Sequence, residues 1–251
     1  MTRKGKQPAR QPKEEAVILL TGFPSYVARR VCQEILERRP KAKVELLHNE
    51  ASRELDNFLQ DLAPDQRARV QPLSGHVAHM DLGLASDDYR RLTREVTEIQ
   101  HLASAYVARG QKETLRRINV RGTREVVELA GQCEQLDRLV HWSTIHVAGC
   151  RTGVVLEEEL EEGQRFHSAY EQTRYEAERL VRRVSRTLPV TVLRVGDIVG
   201  DSQTGELEAY EGPYRLLERF LGTGRSQPVL LPGNGTAPVH AVPVDFVVRA
   251  G

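Results

Sequence analysis

The stretch Ala16-Val17-Ile18-Leu19-Leu20-Thr21-Gly22-Phe23-Pro24-Ser25-Tyr26-Val27-Ala28 decides how the chain is read. Ala16 to Thr21 is a short apolar run, as in a strand buried on both faces. Beyond it, Val27, Val31 and Ile35 recur at helical spacing through Arg38, with Arg and Glu between them. The turn between strand and helix aims backbone N–H groups and a helix N-terminus at whatever sits above it, an arrangement suited to a phosphate. Gly22 permits that turn, and Ala28 is small enough for the helix to pack closely on the strand. Ser25 stands where close backbone approach to a phosphate usually asks for glycine. By itself the segment reads equally well as a plain strand–turn–helix corner, so the rest of the chain has to decide.

The same alternation continues downstream. Strands are expected at 43–47, 70–73, 98–103, 138–142 and 190–195, and helices at 52–62, 87–94, 112–130 and 168–186. Ser52 is placed to cap the second helix. This order predicts an α/β fold, a doubly wound parallel sheet covered by helices on both faces, with right-handed crossovers and a ligand at the carboxyl ends of the strands. After Gly200 the chain becomes rich in Gly and Pro, so residues 201–251 are expected to form a small, loop-rich cap. Residues 1–14, with five basic residues and two prolines but no apolar stretch, are expected to be a disordered tail and not a signal peptide. The sheet domain then spans 15–200.

With 251 residues, 39% hydrophobic and 28% charged, the chain is an ordinary soluble globular protein. Its formal charge of +1 gives no general attraction to nucleic acid or anionic membrane. No apolar run is long enough to span a bilayer. Cys32, Cys133 and Cys150 are odd in number and widely spaced, which speaks against a disulfide framework or a metal site and fits a reducing cytoplasm.

Eight segments in order, TGFPSYVA at 21–28, MDLGL at 80–84, IQHLAS at 99–104, INVRGT at 118–123, HWSTIHVAG at 141–149, SAYEQTRYEAE at 168–178, LRVGDIVGDSQTGE at 193–206 and VPVDFVVRA at 242–250, resemble the extended short-chain dehydrogenase/reductases. The resemblance is to their fatty acyl-CoA reductase, male-sterility and thioester-reductase branch. It implies a Rossmann domain and reduction of an acyl thioester or related carbonyl with NADP, or alternatively NAD. Thr144 then matches the family's catalytic hydroxyl, with Ser143 beside it, Tyr170 matches the acid, and Asn119 matches an Asn that holds the geometry. Arg174 stands where the family has lysine. Cofactor contacts are expected from Thr21, Gly22, Phe23, Pro24, Ser25, Tyr26 and Val27 in the turn, and from Arg53, Asp81 and Leu82. His101, Leu102, Ala103, Asn119, Tyr170 and Arg174 complete the expected set. No metal is expected.

The chemistry of these residue types is coherent. Hydride delivery to a carbonyl builds an alkoxide that needs a hydrogen bond and a proton. Tyr170 can give the proton and Thr144 can hold the oxygen. A free phenol ionises near pH 10, and a cation one helical turn away, Arg174, favours its ionisation. Arginine is bulkier than lysine and effectively never releases its proton, so attenuated catalysis is expected. Spacing alone leaves Tyr170–Arg174 open as a solvated surface pair, and Ser143 and Thr144 open as caps. His146 is a minor candidate as an extra donor.

Ser25, Arg174 and His76, which follows Gly75 where the family usually has Asp, depart from the family pattern. The end at Gly251, inside a segment that continues in longer relatives, makes an incomplete substrate cap the expectation. After the second strand there is no immediate Asp, and Arg53 favours a 2′-phosphate, hence NADP over NAD. Three readings stand: an NADP-dependent reductase of a small-molecule or carrier-bound acyl substrate; a catalytically degenerate nucleotide-binding or interaction protein; and a sugar-nucleotide epimerase- or dehydratase-like enzyme. The two long helices offer apolar surface for a homodimer.

Overall fold

The computed structural model describes residues 15–49, 53–106, 112–208 and 239–251, with positions 214, 217, 218 and 221. The expected tail at 1–14, Glu50, Ser52 and most of the expected cap between 209 and 238 lie outside the described residues.

The apolar run becomes β1 (Val17–Thr21), and the helical spacing becomes α1 (Tyr26–Arg38). β2 (Lys43–His48), α2 (Arg53–Asp61), α3 (Pro64–Arg67) and β3 (Val70–Ser74) follow. Then come α4 (Ser86–Glu95) and β4 (Glu98–His101). Next in the chain are α5 (Lys112–Leu115), a π-helical turn (Arg116–Arg121) and α6 (Gly122–Gln132). β5 (Arg138–Thr144), α7 (Ala169–Val184) and β6 (Val190–Val195) complete the main sheet. β7 (Asp197–Val199), β8 (Ala241–Pro243) and α8 (Val244–Ala250) close the chain.

The six main strands lie in the order β3-β2-β1-β4-β5-β6, all pairings parallel. β1 runs at the centre. The chain moves outward from β1 to β3 and returns to start the other half at β4, so the order reverses between β1 and β4, where a crevice must open. Alternation along β1 builds the two apolar layers. Ile18 and Leu20 join Val31, Cys32 and Ile35 of α1 and Phe58 of α2 on one face. Leu19 joins Leu92 of α4 and Val126, Leu129 and Ala130 of α6 on the other.

Four details differ from the sequence expectation. β5 runs on to Thr144, which makes Ser143 and Thr144 strand residues. β4 ends at His101, so Leu102 and Ala103 leave the sheet. The expected single helix over 112–130 carries a π-helical turn at 116–121, a feature found often at functional sites. Residues 241–250 were expected in the cap. Instead β8 pairs with β7, and Val244, Val247 and Val248 of α8 are buried in the same layer as α1, because an apolar i, i+3, i+4 stripe must cover something. Arg30 of α1 pairs with Asp201 at 2.7 Å, tying the phosphate-turn helix to the segment after β7. The backbone N–H of Gln203, then Arg30, holds the Asp201 carboxyl down to about 2.

The α5–α6 rod and α7, where apolar surface for pairing is expected, border a groove of about 410 Å³ lined by Val120, Phe166, Tyr175 and Leu180, and also by Arg116, Arg124, Arg179 and Arg183. Among the described residues no helix is long and apolar enough to cross a membrane.

Candidate active site

The turn after β1 is shaped by what it leans on. Gly22 has φ +99°, and a Cβ there would stand 2.9 Å from both the Ala103 nitrogen and the Leu102 carbonyl carbon. Only glycine lets the turn seat against the exit of β4. Ser25 caps α1: its Oγ accepts from the Ala28 N–H at 3.3 Å, and its own N–H donates to the Gly22 carbonyl at 3.0 Å. The departure from glycine at position 25 is therefore used locally, as an N-cap of a kind serine favours.

Above this turn opens a crevice of about 400 Å³ lined by Gly22, Phe23, Pro24 and Ser25. Leu47 and Asn49 from the end of β2, His76 and Val77 after β3, and Ala103 and Ser104 after β4 complete most of its wall, with Ile118 and Glu208. These groups converge from the carboxyl ends of four neighbouring parallel strands at the point where strand order reverses. Volume, position and the glycine turn fit the phosphate and ribose portion of a dinucleotide.

Several expected contacts lie elsewhere. Thr21, Tyr26 and Val27 are outside the crevice lining. Leu82 is buried in the core, and Asp81 is exposed beside it, both in a left-handed turn (φ 57° and 53°). Arg53 is exposed at the start of α2 and does not line the crevice. Asn49, His76, Val77 and Ser104, absent from the expected set, line the crevice. Asp81 and Leu82 are expected from the resemblance of MDLGL alone, and the loop after β3 turns back on itself before reaching them, with the His76 N–H donating to the Leu82 carbonyl. His76 Nδ1 accepts from the Ala78 N–H at 3.0 Å. Burial first, then His79 and Arg117, hold its ring below the usual histidine range, so His76 presents a neutral ring to the crevice.

His101 points into the core. Thr123 Oγ1 donates to the Asn119 carbonyl at 2.7 Å and so accepts from His101 Nε2 at 2.9 Å. His101 Nδ1 then accepts from Thr21 Oγ1 at 2.9 Å, which itself accepts from the Ala103 N–H at 3.2 Å. The chain fixes His101 as the neutral Nε2–H tautomer. Burial, then Arg174, pushes its pKa down to about 3. His101 is thus a polar pin between β1, β4 and α6.

Asn119 sits fully buried in the π-helical turn. Its Oδ1 accepts from the Ala105 N–H at 2.7 Å, and its Nδ2 donates to the Ala105 carbonyl at 3.1 Å and to Thr173 Oγ1 at 3.0 Å. One side chain thereby clamps the segment leaving β4 to α7. That segment carries Ser104 on the crevice wall and Tyr106, whose ring meets Tyr170 edge-on at 5.1 Å. The clamp joins the crevice to the second half of the site.

That second half lies at the end of β5. Ser143 and Thr144 face opposite ways, as adjacent strand residues must. Ser143 Oγ donates to buried Glu178 at 2.6 Å, turned away from the reacting group. The Thr144 hydroxyl is the one that hydrogen-bonds the Tyr170 phenol. Burial raises the Tyr170 pKa; Arg174 lowers it, as expected of a cation one turn away, and so does the Thr144 hydrogen bond, but burial outweighs both. Arg174 is 3% exposed and donates through one guanidinium nitrogen to the Trp142 carbonyl. Burial lowers its pKa. The Trp142 indole lies in the core, donating to Gln100 Oε1 at 2.7 Å.

Comparison with known proteins agrees with this geometry. The Male sterility protein family matches residues 20–251. The fatty acyl-CoA reductase wat of Drosophila melanogaster is 26% identical over 220 residues, 76% of this chain and 42% of that protein. The solved terminal R domain of the myxalamid PKS-NRPS biosynthetic pathway is 27% identical, with a TM-score of 0.78, over 94% of this chain and 60% of that one. A UDP-glucuronic acid 4-epimerase from Bacillus cereus, solved with UDP-glucuronic acid and NAD, superposes with a TM-score of 0.68 at 22% identity, over 93% of this chain and 71% of that one, a likeness of fold alone. The chain thus spans less than two thirds of the reductase relatives' lengths. Matched over residues 20–251, it belongs to the male sterility protein family of nucleotide-binding Rossmann domains.

Proposed function

We propose that this chain is a reductase that transfers hydride from NADPH to an acyl thioester or a related carbonyl. The observation that carries the reading is the hydrogen-bonded Thr144–Tyr170 pair, clamped through Asn119 to a crevice built for a dinucleotide. The bound nicotinamide supplies the hydride. Gly22 and the turn through Ser25 hold the pyrophosphate at the start of α1. Thr144 holds the carbonyl oxygen, Tyr170 delivers the proton to it as charge develops, and Arg174 is a fixed positive charge behind the phenol.

NADPH over NADH is supported by Asn49, an amide and not a carboxylate, in the crevice wall at the end of β2. The R-domain likeness supports a carrier-bound acyl group as substrate.

One observation favours a second reading, a nucleotide-binding protein without turnover: Arg174 spends a donor on the Trp142 carbonyl and cannot exchange a proton. The two readings separate when NADPH absorbance is followed with acyl-CoA thioesters for the parent and for Arg174→Lys. The reductase reading expects measurable parent turnover that rises about tenfold in the lysine variant, in line with the usual worth of a well-matched proton-transfer group. Activity only after Arg174→Lys establishes the second reading.

A further inference from the structure

One hydrogen-bonded pair stands beside the reacting hydroxyls without a part in the scheme above. His146 Nε2 lies 3.0 Å from Asp197 Oδ1, the two side chains 40% and 39% exposed. They come from different elements. His146 sits in the tight turn after β5, where its backbone N–H donates to Thr144 Oγ1 at 3.3 Å. Asp197 opens β7, its backbone N–H donating to the His240 carbonyl at 2.9 Å, and its charge reaches the Tyr170 phenol.

Each reduction at Tyr170 consumes a proton. Hydride goes to the carbonyl carbon and the phenol proton to the carbonyl oxygen; from a thioester this gives a hemithioacetal, whose C–S bond then breaks as its hydroxyl proton passes to the departing thiolate, releasing aldehyde and thiol. A phenolate remains that must be reprotonated before the next turnover. Arg174 cannot return that proton, because a guanidinium does not release one and this one is buried against a backbone carbonyl. His101 and His141, the titratable rings facing Arg174, are buried and held neutral. Resting on the reductase reading, we propose that His146, oriented by Asp197, returns the proton to Tyr170 through the Thr144 hydroxyl. The His146 imidazolium gives a proton to the Thr144 oxygen, Thr144 passes its own to the phenolate, and the neutral imidazole takes another from solvent. The electrons come from a reduced nicotinamide dinucleotide. Asp197 accepts from Nε2–H throughout, so Nδ1 is the exchanging nitrogen. Among the described residues, the groups facing Tyr170 are Arg174 on its own helix, Thr144, Tyr106 and Asp197, and the one facing the His146 ring is Asp197.

The test has two arms. In steady-state turnover with NADPH and an acyl-CoA thioester, His146→Ala should lower kcat about 100-fold with KM little changed. Added imidazole should restore it, which a merely structural role for His146 would not allow. In the nucleotide-free protein, Tyr170 ionisation is read as the ultraviolet difference between the chain and its Tyr170→Phe variant. Asp197→Asn should shift that ionisation to lower pH by removing a negative charge beside the phenol. The inference is overturned, with the reductase reading intact, if the parent turns over and folded His146→Ala matches it, if imidazole restores nothing, or if Asp197→Asn leaves Tyr170 ionisation in place. A nucleotide-binding parent that turns over no thioester overturns both.

Discussion

Glu178→Ala should destabilise the protein by about 3–5 kcal/mol, the usual cost of removing one partner from a buried charged cluster. Glu178 is fully buried in the middle of α7. Its carboxylate accepts from Arg194 at 2.9 and 3.2 Å, from Arg182 at 2.8 Å and from Ser143 at 2.6 Å. Without it, two guanidinium groups and a hydroxyl lose their shared acceptor, and the Arg194 side chain is only 14% exposed. Arg182 and Arg194 also hold the carbonyls of Glu157, Glu158 and Glu159, so the loop before α7 should loosen as well. Urea unfolding followed by circular dichroism measures the loss as a lower midpoint. A Glu178→Gln variant, which keeps shape and some acceptor capacity, should fall between the two. A midpoint unchanged in Glu178→Ala would mean the cluster does not hold α7 to β5 and β6.

Tyr170→Phe should lower kcat about 10²–10⁴-fold, the range for a positioned acid, while NADPH affinity stays close to the parent's. The phenyl ring keeps its contact with Tyr106 and loses only the hydroxyl that Thr144 bonds. The split is informative because Tyr170 does not line the crevice. Thr144→Val should fall in kcat in the same way without disturbing α7. A Tyr170→Phe variant as active as the parent would remove the phenol from the chemistry, and Tyr175, which packs on Phe166 outside the site, offers no substitute.

The sheet was legible because its signals are local. An apolar run of strand length, or a 3.6-residue stripe, follows directly from which side of an element must be dry, and β1, α1 and β6 read off accordingly. The phosphate turn was legible through Gly22. What it needs glycine for, the close backbone of Leu102 and Ala103, comes from a strand 80 residues away and leaves no local mark. The roles of Ser143 and Thr144 separated only in three dimensions, where one meets Glu178 and the other Tyr170. His101 was a cofactor contact by the resemblance of IQHLAS, yet it is the last residue of β4 and its partners Thr21 and Thr123 turn it into the core. His146–Asp197 spans 51 residues, and nothing in the segments that carry the two residues marks their pairing. The burial of α8 was missed because its glycine- and proline-rich approach resembles a loop, while its Val244, Val247 and Val248 stripe is only 7 residues of helix.

The central claim, that the crevice above Gly22 is a working NADPH site, is tested most directly by titrating NADPH and NADH into the folded protein and into Gly22→Ala by calorimetry. The account predicts saturable, roughly micromolar NADPH binding, the range in which nucleotide-dependent enzymes commonly work, weaker binding of NADH, and loss of both in Gly22→Ala, whose Cβ would press on the Ala103 and Leu102 backbone. Absence of saturable binding to the folded parent, or equal binding by Gly22→Ala, would contradict it.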